Sequence, residues 1–121
     1  MRLNKIQKTA VNALDDIKAR DIIVLDVRKL TSLVDAMIIA TAESNRQVNA
    51  LARNVCDKLK AIGATIVGVE GEETGEWVLV DAGDILVHIM QPAVRAHYNL
   101  EELWAPPATK RRTKAADRAA A

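Results

Sequence analysis

Apolar residues recur at helical spacing in two stretches of the chain. One stretch covers residues 3–19, and its single apolar stripe consists of Leu3, Ile6, Ala10, Ala13, Leu14 and Ile17. The other opens at Ser44, which has the spacing of a capping box with Gln47. Its stripe ends at Ile62, and Gly63 follows where a left-handed residue ends many helices. The pattern predicts an amphipathic helix in each stretch.

Five short runs of aliphatic and β-branched residues predict strands. The runs cover residues 21–27, 36–41, 64–70 and the two halves of the stretch 76–90. Pro92 ends the last run and opens a predicted helix around residues 93–98, because the first turn of a helix does not need the missing N–H. The element order α-β-β-α-β-β-β-α predicts an α/β fold, in which helices pack on a mixed five-stranded sheet.

The stretch EWVLVDAGDILVHIM, residues 76–90, predicts a β-hairpin whose two faces are both apolar. With Ala82–Gly83 as the turn, the first face carries Val78, Val80, Ile85, Val87 and Ile89. The second face carries Trp77, Leu79, Leu86, His88 and Met90, with Asp81 and Asp84 at its turn end. A β-branched face suits a helix-covered core, whereas an aromatic ring, a methionine and a histidine together are typical of a binding surface. We predict that the second face binds another protein; the alternative is that its rings pack the core.

The composition is that of one globular domain. The chain has 121 residues, a net charge of +1 and no phenylalanine, and its aromatic residues are Trp77, Tyr98 and Trp104. No run approaches the roughly 20 apolar residues of a membrane-spanning helix, and the charged N-terminus is unlike a signal peptide. The single cysteine, Cys56, lies beside an apolar stripe and is expected to be a buried thiol. We expect a soluble, cytoplasmic protein.

Residues 105–121 differ from the rest of the chain. They hold five basic residues and one acid, a charge of +4 that leaves −3 on residues 1–104. They also contain two prolines and no apolar residue larger than alanine, so the segment is predicted to be a disordered basic tail. The folded domain is accordingly assigned to residues 1–104. A solvated tail and a weak, salt-dependent contact with the RNA of an RNA-rich partner both fit the charge of this segment.

Candidate catalytic groups are few. Asp81 and Asp84 lie three residues apart, and paired carboxylates can bind a metal, but D-A-G-D between strands is also ordinary turn chemistry. His88 and His97 lack the spacing of a zinc site. No phosphate-binding loop, nucleophile elbow or dinucleotide fingerprint occurs. We predict a protein that is not an enzyme and needs no metal or cofactor. The alternative is a metal-dependent nucleotidyltransferase-like enzyme using Asp81 and Asp84.

Four stretches together resemble one known family. They are DAMIIAT (35–41), SNR (44–46), the run from Glu70 through GEWVLVDAGDILVH (75–88), and PAVRAHYNLEELW (92–104). The chain from about Leu3 to Trp104 is similar to the ribosomal silencing factors, also called the RsfS or Iojap-like family. The resemblance implies an α/β fold of nucleotidyltransferase-like shape without the catalytic site.

The resemblance also implies a function and a partner. Family members bind the large ribosomal subunit through ribosomal protein L-fourteen, on the face that meets the small subunit. A bound factor sterically blocks joining of the subunits and so represses translation when nutrients are scarce. Family proteins can also form homodimers, and a dimer that used the Trp77 face would exclude ribosome binding.

The family's binding face, carried over to this sequence, falls on the hairpin and the helix after it. Its expected partner-binding residues are Trp77, Leu79, His88, Met90, Arg95, Tyr98, Leu100 and Trp104. The last four either contact the partner or brace the hairpin from behind. Two positions depart from the family pattern, since Ala36 stands where tyrosine is usual and Ala42 where glycine is usual. Both could change the loop before the second helix.

Overall fold

The computed structural model describes residues 2–104. The elements follow one another as α1 (Arg2–Asp16), β1 (Arg20–Asp26), β2 (Ala36–Thr41), α2 (Asn45–Ala61), β3 (Gly68–Glu70), β4 (Trp77–Asp81), β5 (Ile85–Met90), α3 (Pro92–Tyr98) and α4 (Leu100–Trp104). The predicted α/β class is confirmed. The basic tail predicted for residues 105–121 lies outside the described residues.

The five strands form one mixed sheet in the order β1-β2-β5-β4-β3. The central pair, β2 and β5, is parallel, and all other neighbours are antiparallel. All six residues of β2 are buried because both faces of this strand are covered. The predicted mixed five-stranded sheet is therefore confirmed, with the quoted hairpin supplying its central strand, β5, and the neighbouring strand β4.

The hairpin register differs from the predicted one by two residues. Val80 pairs with Val87 and Val78 with Ile89, so the turn is Gly83–Asp84 rather than Ala82–Gly83. Gly83 takes a φ of +87°, which favours glycine, and its N–H donates to Asp81 Oδ1 at 2.9 Å. A shift of two keeps every side chain on its face, because the strand period is two. The predicted division of the hairpin into two faces therefore holds.

The ends of α2 are as predicted. Ser44 is the N-cap, and its Oγ accepts a hydrogen bond from the Gln47 N–H at 3.1 Å. Gln47 Oε1 accepts from the N–H of Glu43, one residue before the position that a strict capping box uses. At the other end, Gly63 has a φ of +88°, and its N–H and that of Ala64 donate to carbonyls of the last turn. This is a Schellman motif.

Two other boundaries were predicted wrongly, and one short helix was missed. Helix α1 ends at Asp16 rather than 19, because Lys18 adopts a φ of +64° and closes a Schellman motif that no glycine announces. Strand β3 begins at Gly68 rather than 64, since Ala64 completes the end of α2. Asn99, at a φ of +49°, separates α3 from the unpredicted α4.

The sheet has a hydrophobic cluster on each face. On the first face, α1 and α2 pack over β2, β4 and β5, and side chains such as Leu14, Leu51, Val80 and Ile89 fill the cluster. On the second face, Leu25, Val27, Met37, Ile39 and Met90 form a smaller cluster, against which Val94 of α3 and Leu100 of α4 pack. Within residues 2–104, no helix is long and apolar enough to cross a membrane.

Candidate protein-binding surface

The second hairpin face continues into a partly exposed surface, here called the Trp77 surface. It consists of Trp77, Leu79, Leu86, His88 and Tyr98. Strands β4 and β5 supply the first four side chains, since these positions alternate with the valines and isoleucines of the core. Helix α3 supplies Tyr98, which is 54% exposed. Apolar and aromatic atoms therefore reach solvent beside a rigid sheet.

Trp77 is held in one orientation by two neighbours. Its Nε1–H donates a hydrogen bond of 3.0 Å to His88 Nδ1, a diagonal neighbour across the hairpin. Its ring centroid lies 4.8 Å from that of Tyr98, at an interplanar angle of 47°. Such tilted packing suits the quadrupoles of aromatic rings. The indole is thus fixed before any partner arrives, which lowers the entropy cost of binding.

His88 is a neutral, buried base at the centre of this surface. Only 7% of the residue is exposed, and burial lowers its pKa from 6.5 to about 4. A neutral imidazole that accepts at Nδ1 carries its proton on Nε2. His88 therefore orients Trp77 through one nitrogen and remains uncharged at neutral pH.

A depression of about 250 Å³ opens beside the indole. It is lined by Glu70, Gly71, Trp77, Leu79 and His88. Gly71 has a φ of +94°, and a Cβ there would lie 2.0 Å from the carbonyl oxygen of Trp77. Because only glycine permits this close approach, any side chain at position 71 would displace the strand that carries the indole.

The depression beside Trp77 carries an acidic residue. Glu70 lines it, and Glu72, Glu73 and Glu76 are exposed in the loop that follows Glu70. None of these four carboxylates forms a salt bridge with another of residues 2–104. The uncompensated negative charge favours a partner with a basic surface.

Arg95 braces α3 and α4 against the sheet. Its Nη1 donates to the backbone oxygen of Asp21 and to Thr41 Oγ1, both at 2.7 Å. Its Nε and Nη2 lie 3.0 Å from Glu101 Oε2. One nearly buried guanidinium therefore fixes the start of β1, the end of β2 and the last helix together. This fixed frame positions Tyr98 against the indole.

The eight predicted partner-binding residues have different positions. Trp77, Leu79, His88 and Tyr98 lie together on the Trp77 surface. Met90 is 0% exposed, and it supports this surface from inside the second cluster. Leu100 packs against the same cluster, and Arg95 lies on α3 with its guanidinium bonded to the sheet. Trp104 ends α4, and its side chain lies outside the described set.

Reasoning from the sequence missed the contribution of Glu70 and Gly71. The loop between Gly71 and Gly75 is a turn, closed by a hydrogen bond of 3.2 Å from the Gly75 N–H to the Gly71 oxygen. Its position against the indole depends on the pairing of β3 with β4, in which Glu70 faces Leu79. Two glycines beside a tryptophan strand were the signal that could have indicated this contact.

Asp81 and Asp84 occupy the turn of the hairpin. Asp81 Oδ1 accepts from the Gly83 N–H, and Asp84 is exposed. His97 is also exposed, and its ring stands edge-on to Tyr98 with centroids 4.8 Å apart. Within residues 2–104, no group of three or more histidine, cysteine or acidic side chains is arranged to hold a metal ion. The Asp81 side chain therefore stabilises the turn, and Asp84 is one of the two turn residues.

Comparisons with known proteins identify the class of protein and then the family. The chain resembles proteins named for silencing ribosomes, and the family model described as "Ribosomal silencing factor during starvation" matches residues 1–121. The match extends past Trp104, where the motif resemblance ended. The chain belongs to the ribosomal silencing factor (RsfS) family.

Individual relatives agree with this assignment. The ribosomal silencing factor RsfS of Chromobacterium violaceum is 61% identical over 104 residues, which cover 86% of this chain and 85% of the relative. A crystal structure of a Chromobacterium violaceum protein has a TM-score of 0.84 at 60% identity and covers 86% of this chain and 87% of that one. A Mus musculus protein named for mitochondrial assembly of the ribosomal large subunit is 32% identical over 97 residues, covering 78% of this chain and 42% of the relative.

Proposed function

We propose that this protein binds the large ribosomal subunit through ribosomal protein L-fourteen and sterically blocks its association with the small subunit. Translation would thereby be repressed under nutrient limitation, without a chemical step. Family membership supports a ribosomal target, and the mouse relative is named for assembly of the large subunit. The observation that carries the proposal is the Trp77 surface, a fixed aromatic group beside an open depression.

The chemistry of the Trp77 surface fits a protein partner with a basic rim. Tryptophan and tyrosine at the centre of an interface supply most of the binding energy. The carboxylate of Glu70 in the depression, with those of Glu72, Glu73 and Glu76 exposed on the loop that follows, complements lysine and arginine, which are abundant on proteins that bind ribosomal RNA. Charge complementarity at the edge of an interface raises the association rate more than it raises the affinity.

Co-sedimentation with purified large subunits tests the proposal. Wild type is expected to pellet with the subunits, and Trp77→Ala to lose about 2 kcal/mol or more, roughly thirtyfold in affinity. Trp77→Phe keeps a ring but not the donor to His88, so its affinity should be intermediate. In a light-scattering assay, wild type should also slow joining of the two subunits, and Trp77→Ala should not.

The control is Leu33→Ala, which truncates a side chain that is 85% exposed in the loop before β2. Circular dichroism establishes that each variant is folded. Equal pelleting of Trp77→Ala and wild type would contradict a binding role for the Trp77 surface. Pelleting of wild type without slower subunit joining would contradict occlusion while leaving the binding site in place.

A further inference from the structure

A second concave surface lies on the other side of the molecule, on α2. It is an open groove of about 660 Å³ between the end of α1 and the outer face of α2, here called the α2 groove. Its lining includes Ile17, Arg46, Asn49, Arg53, Asn54 and Asp57. Helix α2 covers the first face of the sheet, whereas the Trp77 surface belongs to the second. The two surfaces can therefore be occupied at the same time.

The α2 groove presents a row of free hydrogen-bond donors. Arg46, Asn49 and Arg53 follow one another at i, i+3 and i+7, so they share one helix face. Neither guanidinium pairs with any of residues 2–104. The two arginines are exposed and are separated by about 10 Å along the helix axis.

Asn49 adds a donor between the two arginines. Its Oδ1 is buried and has no hydrogen-bond partner. Its Nδ2 forms no hydrogen bond within residues 2–104 and is not buried, so the amide N–H groups are accessible to a ligand. The row therefore offers guanidinium, amide and guanidinium donors in sequence, and the one carboxylate in the lining, Asp57, lies one turn beyond Arg53.

The walls of the α2 groove are tied together. Gln47 Nε2 donates to the backbone oxygens of Ile17 and Lys18, at 3.0 and 3.2 Å. Asn54 Nδ2 donates to the Ala13 oxygen at 2.8 Å. These bonds use the free carbonyls at the end of α1 to fix one helix against the other. The donor row is thus held on a rigid base.

We propose that the α2 groove binds the phosphodiester backbone of RNA. The pattern of donors matches the repeated acceptor oxygens of successive phosphates, for which arginine and amide side chains are common partners. An acidic protein segment would offer acceptors too. However, the apolar side chains that line the groove are Ile17, which is already packed against the core, and Ala50, and neither is the aromatic anchor that is typical at the centre of a protein interface. RNA backbone recognition needs no such anchor.

Fluorescence anisotropy of a short labelled RNA hairpin, titrated with the full chain between about 50 and 200 mM salt, tests the proposal. Arg46→Gln/Arg53→Gln should weaken RNA binding about tenfold. Each phosphate contact contributes about 0.7 to 0.9 to the slope of log affinity against log salt. The double variant should therefore lower that slope by about 1.5.

The matched control is Lys58→Gln/Lys60→Gln, which removes the same charge from exposed positions on the same helix outside the groove. This control should change RNA affinity by less than about twofold. All variants keep residues 105–121, so the charge of that segment contributes equally. Trp77→Ala should bind the RNA hairpin with wild-type affinity, and this result would separate the proposed RNA site from the proposed function.

Three results would overturn the proposal. Equal weakening in both double variants would show that RNA responds to net charge alone. Wild-type affinity in the arginine variant, or no salt-dependent binding by wild type, would leave the groove without an RNA ligand. Polyglutamate and unlabelled RNA can be compared as competitors for the labelled RNA hairpin at equal concentrations of negative charge. Stronger displacement by polyglutamate would indicate that the ligand is an acidic protein. In each case, subunit binding lost on Trp77→Ala would still support the proposed function.

Discussion

The two faces of the sheet bury side chains of different chemistry. The cluster beneath α1 and α2 is made of aliphatic and alanine side chains only. The buried polar or charged residues among those described, Thr41, His88 and Arg95, are all on the other side, on or directly over the second face. The chain thus keeps these buried polar side chains on the side that carries the exposed aromatic surface.

This difference separates stability from recognition. Uniform aliphatic packing supplies burial energy but no fixed direction to an exposed ring. Hydrogen bonds from Trp77 to His88, and from Arg95 to Thr41, fix the exposed groups at defined angles. We expect substitutions on the first face to affect folding most and substitutions on the second face to affect binding, and four predictions test that division.

The largest effect on stability is expected from Ile89→Ala on the first face. Ile89 is fully buried in the larger cluster, and truncating a buried isoleucine costs about 4 kcal/mol through lost burial and the cavity left behind. Urea unfolding followed by circular dichroism measures the change. Ile89→Val, which removes one methylene, should cost about 1 kcal/mol. If Ile89→Ala lowered the free energy of unfolding by less than about 1 kcal/mol, the assignment of Ile89 to the main core would be contradicted.

Acid should destabilise the protein through His88. Its pKa is about 4 in the folded chain and 6.5 when unfolded, so the unfolded state binds an extra proton between these values. The free energy of unfolding that depends on neutral His88 is fully present above pH 6.5. It falls by up to about 3 kcal/mol as the pH falls towards 4.

His88→Gln should flatten the pH dependence of the free energy of unfolding in this window. The amide oxygen of glutamine can still accept from Trp77, so the test isolates titration from lost packing. His97→Gln, at an exposed position on α3, is the matched control. Equal flattening in both variants would contradict a special role for His88.

Arg95→Met should cost about 2 kcal/mol, because it leaves Glu101 and Thr41 without their nearly buried partner. Adding Glu101→Gln should recover part of that loss. The comparison pair is Arg28 and Asp26, which lie 2.6 Å apart but are more than half exposed. Arg28→Met should leave the urea midpoint unchanged. A similar fall in both pairs would show that burial does not decide the value of the Arg95 bridge.

The smallest effect on stability is expected from Leu79→Ala on the Trp77 surface. Leu79 is half-buried, so its truncation should cost less than about 1 kcal/mol. It should nevertheless weaken subunit binding about tenfold, because the side chain lines the depression. Leu33→Ala, with the same chemical change at an exposed loop position, should alter neither quantity. Unchanged subunit binding by Leu79→Ala would restrict the interface to the aromatic side chains.

Much of this fold was predictable wherever local chemistry agreed with the apolar pattern. The start of α2 followed from Ser44 and Gln47, and its end from Gly63. The faces of the hairpin followed from alternation, although its turn did not. The register depends on which residue takes a positive φ, and the Asp81 side chain stabilises Gly83 in the first turn position. That contact appears only in three dimensions.

The candidate site was predictable to a smaller extent. Trp77, Leu79 and His88 could be placed on one face because the period of a strand is two. The burial of Met90 and Arg95 depends on α3 and α4 folding back over the sheet, and the boundary between them is set by a left-handed asparagine. The acidic depression depends on the β3–β4 pairing. Such long-range contacts have no short sequence signature.

The strand order has a consequence for synthesis of the chain. Strand β2, buried along its whole length, has its second neighbour in β5, which begins at Ile85. During synthesis from the N-terminus, β2 therefore has one unpaired hydrogen-bonding edge until more than forty further residues have been added. An open apolar edge can pair with other chains. A nascent chain stalled before Ile85 is thus expected to be sensitive to protease and prone to aggregate, and release of residues 85–90 ends that exposure.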